Sequence, residues 1–429
     1  MRGVFKRFAG RMKRFTLLLT APIRLTRFPA RLLVGAATIL SLTGLALAPS
    51  VSASAASGSA RSGDLHVTKE CSQYAGLADS FCISGLSATP DRKRTTTYTQ
   101  LAVLAVTGNA LASFDIGWSD RTGTYYLADK TNAAIDFIAG KTGTMLGQAT
   151  GFAGVKATQA LSGPNGVTSA PNLHEVWAGD GDSTVKVVDT KIFKVTDTIS
   201  TGGKFRADEL SYDPKDHVIL VANDADQPPF VTFISTTSKT VLGKIEMPQA
   251  TMGLEQSGWD AETGLFYISV PTTTTNPGGE LDELDPTAMK ISKVFTLTNC
   301  NPAGLGIAPH SHVMVGCTAY PANVQVVDAR NGSTLATITK VGGVDEVFYN
   351  SGANQFYVAA QGMTADGTKT GAPTPVVGII DARTNEWLQN IPTVLGAHSV
   401  AADPRNNHIF VPQRGRGVVI YGPSECHCE

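Results

Sequence analysis

The sequence predicts an all-β protein, a seven-bladed β-propeller of four-stranded blades that is closed by an N-terminal strand. Three observations predict this fold. Glycine and proline are abundant, with 43 and 22 residues, as expected where many short strands are joined by turns. A strand-rich block recurs roughly every 40 to 50 residues, a period typical of propeller blades. The last of these blocks is one strand short.

The N-terminus has the pattern of a secretory signal peptide. Residues 1–31 contain nine basic residues and no acidic one, and the apolar segment Leu32–Ala48 follows. Small residues at Ala53 and Ala55 fit a cleavage site. The alternative is an uncleaved membrane anchor, because 17 apolar residues are close to the minimum for crossing a bilayer. We therefore assign 1–55 to a signal peptide or anchor and expect a secreted or cell-surface protein.

The rest of the chain is acidic and contains six cysteines. Beyond residue 55, 26 basic residues face 36 acidic ones, so we expect no nucleic-acid partner. Cysteines in an exported protein are expected to form disulfides. Two of them fall within one repeat, and the other four lie near the two chain ends, where they could staple the termini together. The C-terminal pair could instead bind a soft metal. The candidates are Cys71, Cys82, Cys300, Cys317, Cys426 and Cys428.

The stretch 396–421 illustrates the repeat. Strands are predicted at His398–Ala402, His408–Pro412 and Gly417–Tyr421, with a turn at 403–407 between the first two. Proline pre-sets a tight turn, and Asp and Asn side chains hydrogen-bond the local backbone. β-Branched and aromatic residues flank the turn, as a packed strand requires.

Seven such blocks occur, and each of the first six continues into a third and a fourth strand. The seventh ends after its third strand, and Gln100–Thr107 supplies the missing one, which leaves no exposed sheet edge. We therefore assign 98–422 to the propeller. Residues 56–97 are a linker and a cysteine-containing extension, and 423–429 are a cysteine-containing tail.

The blade motifs resemble those of the YVTN/YncE-like family of seven-bladed propellers. The resemblance lies in Val187–Ser200, Val326–Thr339 and Gly396–Pro412, where a strand ending in Asp or a similar residue is followed by a turn and a further strand. It covers about residues 98–421. It implies the fold, whereas such propellers serve as surface proteins, binding modules and enzyme scaffolds.

One position of the repeat forms a polar ring at one mouth of the channel. Because the first strand of each blade lines the channel, equivalent residues at its start are expected to converge. Carboxylates, an amide and an imidazole together suit Ca²⁺ or another divalent cation. The ring positions are Asp115, Asn165, Asp208, Glu255, Ala303, Asp345 and His398. The alternative is a polar, water-filled channel without a metal.

Four further residues are secondary candidates. Glu209 and Glu346 neighbour ring members, and they either line the mouth or face the blade interior. Arg414 and Arg416 are predicted to place positive charge beside the acidic ring, where they could bind an anionic group or pair with the carboxylates. The long loop 361–375 belongs to the same face, and such loops commonly carry recognition.

The segment 254–260 resembles the first-strand motif of the SMP-30/gluconolactonase propellers. That resemblance implies that Glu255 is a ligand of a catalytic divalent metal, with Asn165 and Asp208 as its polar partners. Those proteins have six blades, however, and this chain has seven predicted blades.

Two functions are compatible with these patterns. The first is a secreted propeller that binds a small molecule or a protein at the channel mouth. The second is a metal-dependent hydrolase, lactonase or lyase that uses the carboxylates of the ring. No Ser-His-Asp pattern, P-loop or dinucleotide fingerprint appears in the sequence.

Overall fold

The computed structural model describes residues 97–424 and confirms the predicted fold: seven antiparallel sheets of four strands each. Blade one contains β2 (Gly117–Ser119), β3 (Thr124–Asp129), β4 (Ala134–Ala139) and β5 (Thr144–Thr150). Blade two contains β6 (Val167–Ala170), β7 (Glu175–Gly179), β8 (Thr184–Asp189) and β9 (Lys194–Ser200). Blade three contains β10 (Leu210–Asp213), β11 (Val218–Asn223), β12 (Phe230–Ser235) and β13 (Thr240–Glu246).

The remaining blades repeat this order. Blade four contains β14 (Ser257–Asp260), β15 (Leu265–Val270), β16 (Glu280–Asp285) and β17 (Lys290–Thr296). Blade five contains β18 (Pro302–Ala308), β19 (His312–Cys317), β20 (Val324–Asp328) and β21 (Ser333–Ile338). Blade six contains β22 (Glu346–Asn350), β23 (Gln355–Ala360), β24 (Val376–Asp381) and β25 (Trp387–Pro392). Blade seven contains β26 (Ala401–Asp403), β27 (His408–Gln413), β28 (Gly417–Pro423) and β1 (Tyr98–Leu104).

The first strands form the inner wall of a ring. Each of them contacts the first strands of both neighbouring blades, so that they enclose a central channel. The second and third strands carry most of the core: every residue of β11 is buried, whereas the outer β13 alternates between exposed and half-buried positions. Aromatic side chains join adjacent blades, as where Tyr125 stacks on Phe410 at 4.7 Å between ring centroids. Burying a side chain of this size stabilises the fold by roughly 2 kcal/mol.

Blade seven closes the ring as predicted. β1 pairs antiparallel with β28, from Tyr98 opposite Pro423 to Leu104 opposite Val418. The Tyr98 hydroxyl also lies 2.9 Å from both Gln355 Oε1 and the Tyr357 hydroxyl in blade six. The N-terminal strand is therefore tied to two blades.

In most blades an Asp or Asn stabilises the first hairpin turn, as in blade seven. Asp403 Oδ1 accepts a hydrogen bond from the backbone N–H of Arg405 at 2.9 Å, and Asn407 adopts a left-handed φ of 60°. Asparagine tolerates that conformation better than most residues. The turn predicted at 403–407 is thus confirmed.

The start of the innermost strand of blade seven differs from the prediction. We expected a strand over His398–Ala402, whereas β26 begins only at Ala401. The reason is a long-range contact, because the backbone N–H of Val400 donates to the Glu346 carboxylate of blade six at 2.9 Å. A side chain from blade six therefore binds the backbone just before β26.

One of the predicted disulfides is present. Cys300 and Cys317 are bonded, with 4.5 Å between their Cα atoms, and both are buried in blade five. The other candidates, Cys71, Cys82, Cys426 and Cys428, lie outside the described residues. So do the predicted segment 1–55 and nearly all of 56–97. Within 97–424, no helix is long and apolar enough to cross a membrane.

Candidate functional site at the channel mouth

The ring positions are held by equivalent backbone contacts. In five blades the ring residue donates its N–H to a carbonyl at or next to the end of the second strand of its own blade. The bonds are Asp115 to Ala128 (2.9 Å), Asn165 to Gly179 (2.9 Å), Asp208 to Ala222 (2.8 Å), Glu255 to Ser269 (3.0 Å) and Asp345 to Ala359 (3.0 Å). The repeat therefore places these side chains at one level of the channel mouth.

Two cations that the sequence analysis did not identify lie among the carboxylates. The fully buried ammonium of Lys130 bonds the Asp115 carboxylate. Arg206 contacts Asp208 at 2.6 Å and forms a bidentate pair with Asp224 at 2.8 and 3.1 Å. The Nη1 atom of Arg206 lies 3.8 Å from Asp115 Oδ2 in blade one. Three carboxylates thus share two internal cations.

A short 3₁₀ helix, Gln159–Leu161, lies over these cations. The Ala160 carbonyl accepts the backbone N–H of Arg206 at 2.8 Å. In the amide orientation that satisfies both side-chain atoms, Gln159 Oε1 accepts from Lys130 Nζ at 2.7 Å and from Arg206 Nη1 at 3.2 Å. The loop before β6 therefore covers the basic side of the mouth.

His398 provides a third positive charge. Its ring stacks on Phe114 at 4.8 Å, Nδ1 donates to the Gly396 carbonyl at 2.9 Å, and Nε2 lies 3.4 Å from Asp115 Oδ1. Burial alone would lower the pKa of His398, but the hydrogen bond and charge of Asp115, with the charge of Asp345, raise it to about 9. Burial would likewise raise the pKa of Asp115, yet Lys130, His398 and Arg206 hold it well below its usual range.

The opposite side of the mouth has carboxylates without cations. Glu255 and Asp345 are half-buried, and neither forms an ion pair with any residue of 97–424. Asp345 accepts a hydrogen bond at 2.6 Å from Gln361, the first residue of the long loop 361–375. Burial, then the charges of Asp345 and Asp208, raise the pKa of Glu255 well above its usual value. Burial also raises the pKa of Asp345, although His398 partly offsets this effect.

A second layer of polar side chains lies one residue further along the first strands. Glu209 and Glu346 are both buried; Glu209 feels the charges of Asp208, Asp115 and Glu255, and Glu346 accepts the backbone N–H of Val400 from blade seven at 2.9 Å. Burial raises the pKa of Glu346 to about 8 and that of Glu209 well above its usual range. Gln256, which the sequence analysis missed, accepts the N–H groups of Leu305 at 2.7 Å and Val347 at 3.0 Å.

Metal binding by the ring stays a prediction. Within 97–424, no group of three or more His, Cys, Asp or Glu side chains is arranged to hold a metal ion. Of the predicted ligands, Asn165 donates its amide to the carbonyls of Ser162 and Ala207, and Asp208 pairs with Arg206. Positive charge is already supplied to this side of the mouth by the chain itself.

Within 97–424, Arg414 and Arg416 form no ion pair with a ring carboxylate, and their binding of an anionic group stays a prediction. Both lie in the exposed loop between β27 and β28, and Arg416 donates to Gln413 at 2.8 Å and Gln100 at 3.2 Å. The ring cations are Lys130 and Arg206. Lys130 directly follows β3, and Arg206 precedes Asp208 by two residues. Both therefore lie close in sequence to elements that the repeat places at the mouth, although neither occupies the ring position itself.

The other end of the channel has a different character. There it widens into a cavity of about 730 Å³, which we call the rear funnel, and it opens between the hairpins that join first and second strands. Its aromatic wall residues are Trp118, Tyr212, Trp259, Phe348 and Tyr349. The sequence analysis did not identify this cavity.

Comparison with known proteins supports the fold alone. No family model and no curated protein sequence matches the chain. Among solved structures, hydrazine synthase of Kuenenia stuttgartiensis is similar with a TM-score of 0.59 at 13% identity, over 75% of this chain and 99% of that one. A chain of the mitotic checkpoint complex is similar with a TM-score of 0.60 at 10% identity, over 82% of this chain and 100% of that one.

Proposed function

We propose that this chain is a secreted, YncE-like propeller that binds a small cationic ligand, an ammonium or guanidinium compound, at the channel mouth. The observation that carries the proposal is an excess of acid. Seven carboxyl groups of the mouth and the layer beneath it face three basic groups. The acids are Asp115, Asp208, Glu209, Asp224, Glu255, Asp345 and Glu346, and the bases are Lys130, Arg206 and His398.

The distribution of charge indicates where the ligand binds. Arg206, Lys130 and His398 are engaged by Asp115, Asp208 and Asp224, so they offer little to an anionic ligand. Within 97–424, Glu255 and Asp345 form no ion pair, and both are partly open to water. An ammonium or guanidinium group offers several donors to such carboxylates, and charge-assisted hydrogen bonds are about twice as strong as neutral ones.

Protonation gives this proposal a pH dependence. The raised pKa values of Glu255 and Asp345 mean that each holds a proton more readily than an ordinary carboxyl group. A bound cation favours the ionised form, so binding releases protons. Affinity is therefore expected to rise with pH.

The family and the location belong to the same proposal. The blade motifs support YncE-like membership, and the N-terminal pattern together with the Cys300–Cys317 disulfide supports secretion. A small molecule fits the mouth better than a protein, because the carboxyl groups of Glu255 and Asp345 are half-buried.

Calorimetric titration with agmatine, which carries one ammonium and one guanidinium group, tests the proposal. We expect saturable binding that is tighter at pH 8 than at pH 6, with proton release, and that weakens about tenfold in Glu255→Gln. Glu246→Gln is the matched control, because Glu246 is an exposed carboxylate on the outermost strand of blade three.

Two results would overturn the proposal. One is the absence of saturable agmatine binding, and the other is equal affinity in Glu255→Gln and Glu246→Gln. Tighter binding of Ca²⁺ that is lost in Glu255→Gln would favour the metal alternative instead.

A further inference from the structure

We propose that the rear funnel is a second binding site, separate from the mouth, for an uncharged and largely apolar ring compound that bears one or two hydroxyl or carbonyl groups. This inference goes beyond the proposed function and does not depend on it. The cavity volume, the wall chemistry and the position of charged groups carry it.

The size of the rear funnel suits a small molecule. A volume of about 730 Å³ lies within the range of about 300 to 1,000 Å³ that is common for ligand pockets. Gln256 lines the funnel, and its side-chain oxygen is fixed by the backbone N–H groups of Leu305 and Val347. The hairpin residues among the lining, such as Arg121 and Pro404, show that the funnel opens on the hairpin face.

The wall is apolar and incompletely covered. Trp118, Tyr212, Trp259, Ile307 and Tyr349 line it, and all five are half-buried although most residues of the first strands are buried. Large apolar side chains that are partly exposed around one cavity are more common at binding sites than on the rest of a protein surface.

Aromatic geometry favours a flat ligand. Trp118 and Phe348 meet edge to face, with 5.4 Å between their ring centroids and an angle of 69°. Across the same cavity lie Trp259 and Tyr212. Aromatic rings prefer stacked or edge-to-face partners, so a ring compound gains more here than a flexible chain.

The polar side chains of the wall are hydroxyls together with the amides of Asn172 and Gln256, and its charged residues lie at the hairpin turn. Ser211 and Ser257 are bonded to each other at 2.9 Å, and Thr168 and Ser169 line the wall beside them. Among residues 97–424, the only charged ones that line the funnel are Asp120 and Arg121 at the hairpin turn, and Asp120 accepts a hydrogen bond from the Tyr126 hydroxyl at 3.0 Å. A charged ligand would lose its hydration without a counter-charge, whereas a hydroxyl or carbonyl group would find partners.

Fluorescence provides the test. The neutral probe N-phenyl-1-naphthylamine is titrated into the full chain, and 2-naphthol and 2-naphthoate are compared as competitors. We expect single-site binding of the probe with quenching of tryptophan emission, since two of the four tryptophans line the funnel. 2-Naphthol is expected to compete about tenfold better than 2-naphthoate, because the carboxylate must be desolvated.

Substitutions locate the site. Ile307→Arg places a charge on the half-buried wall, and we expect it to weaken the probe about tenfold. Tyr349→Ser removes an aromatic wall with little risk to the fold, because Tyr349 is half-buried, and it is expected to weaken the probe as well. Ile192→Arg is the control, since Ile192 is 57% exposed on another surface, and it should leave affinity unchanged.

Several outcomes decide the matter. The inference is overturned if the probe does not saturate a single site, if 2-naphthoate competes as well as 2-naphthol, or if Ile307→Arg and Tyr349→Ser both bind like wild type. Unchanged probe affinity in Glu255→Gln supports two separate sites. Loss of probe binding in that variant would contradict the separation.

Discussion

Arg206 is the residue that links the most charges at the channel mouth. It pairs with Asp208 and Asp224, which flank β10 and β11, and it approaches Asp115 of blade one. Burial alone would lower the pKa of Arg206, yet the charges of Asp208 and Asp224 raise it further above its usual range. Removing the guanidinium would leave carboxylates that water reaches poorly.

We expect Arg206→Met to lower the free energy of unfolding by about 3 kcal/mol, because it removes one partner from a buried ion-pair network. Urea denaturation near neutral pH measures this change. Arg383→Met is the control, since Arg383 is exposed on the turn between β24 and β25, and a change within about 0.5 kcal/mol is expected there. Equal losses of unfolding free energy in Arg206→Met and Arg383→Met would show that the ion-pair network does not stabilise the fold.

A second prediction concerns pH and Glu346. In the folded protein the pKa of Glu346 is about 8 against an ordinary 4.5, so the folded state holds an extra proton between these values. Stability is therefore expected to fall as pH rises through that window. The pKa of His398, raised from 6.5 to about 9, acts in the same direction, because its contribution is lost as pH rises through 9.

Thermal unfolding between pH 5 and pH 9 checks this prediction. We expect a melting temperature that declines across the range, and a smaller decline in Glu346→Gln, whose amide mimics the protonated acid. The exposed Glu246→Gln should retain the wild-type decline. A melting temperature that rises with pH, or a decline that is the same in Glu346→Gln, would contradict the raised pKa of Glu346.

At the scale of the element, strands and turns were largely predictable, because their signals are local. Asp403 and Asn407 define a turn by chemistry that acts within five residues. The start of β26 was not predictable, because Val400 bonds to Glu346, which lies 54 residues away. The closing strand was predicted at Gln100–Thr107 and lies at Tyr98–Leu104, where its register with β28 contains an irregularity between Gln100 and Ala102.

The Cys300–Cys317 bond joins the residues before β18 to the end of β19. We expect the double variant Cys300→Ala, Cys317→Ala to lose about 3 kcal/mol of stability, from the lost cross-link over a short loop. Chemical denaturation measures the loss. The single variant Cys300→Ala should lose nearly as much as the double variant, because either change breaks the bond. If the double variant instead loses about twice as much stability as Cys300→Ala, the loss comes from side-chain packing and not from the bond.

At the scale of the molecule, the sequence predicts which residues lie at the channel mouth, but it does not predict which ion pairs they form. The repeat places Asp115, Asp208 and Asp345 at one level, since equivalent blades present equivalent backbone. It does not give the distances across the channel that bring Lys130 and Arg206 to them. The rear funnel is likewise a product of closure, because it is enclosed by residues of separate blades that meet only in the finished ring.

Closure by β1 carries its own prediction. A chain that begins at residue 106 lacks β1 and leaves β28 as an unpaired edge, so we expect it to self-associate. Size-exclusion chromatography with light scattering measures this. A chain that begins at residue 97 retains β1 and serves as the control. Monomeric behaviour of the shorter chain would show that β28 does not need its partner.

The antiparallel pairing of β1 with β28 also determines how the ring responds to mechanical force. Tyr98 lies opposite Pro423, so the first segment of β1 and the last segment of β28 lie at the same end of this ladder. Tension between those segments would therefore open the pairs one after another, beginning with Tyr98 and Pro423, and would not load all hydrogen bonds at once. A protein tethered on one side and pulled on the other would unzip at blade seven at low force, while the other six blades keep their sheets.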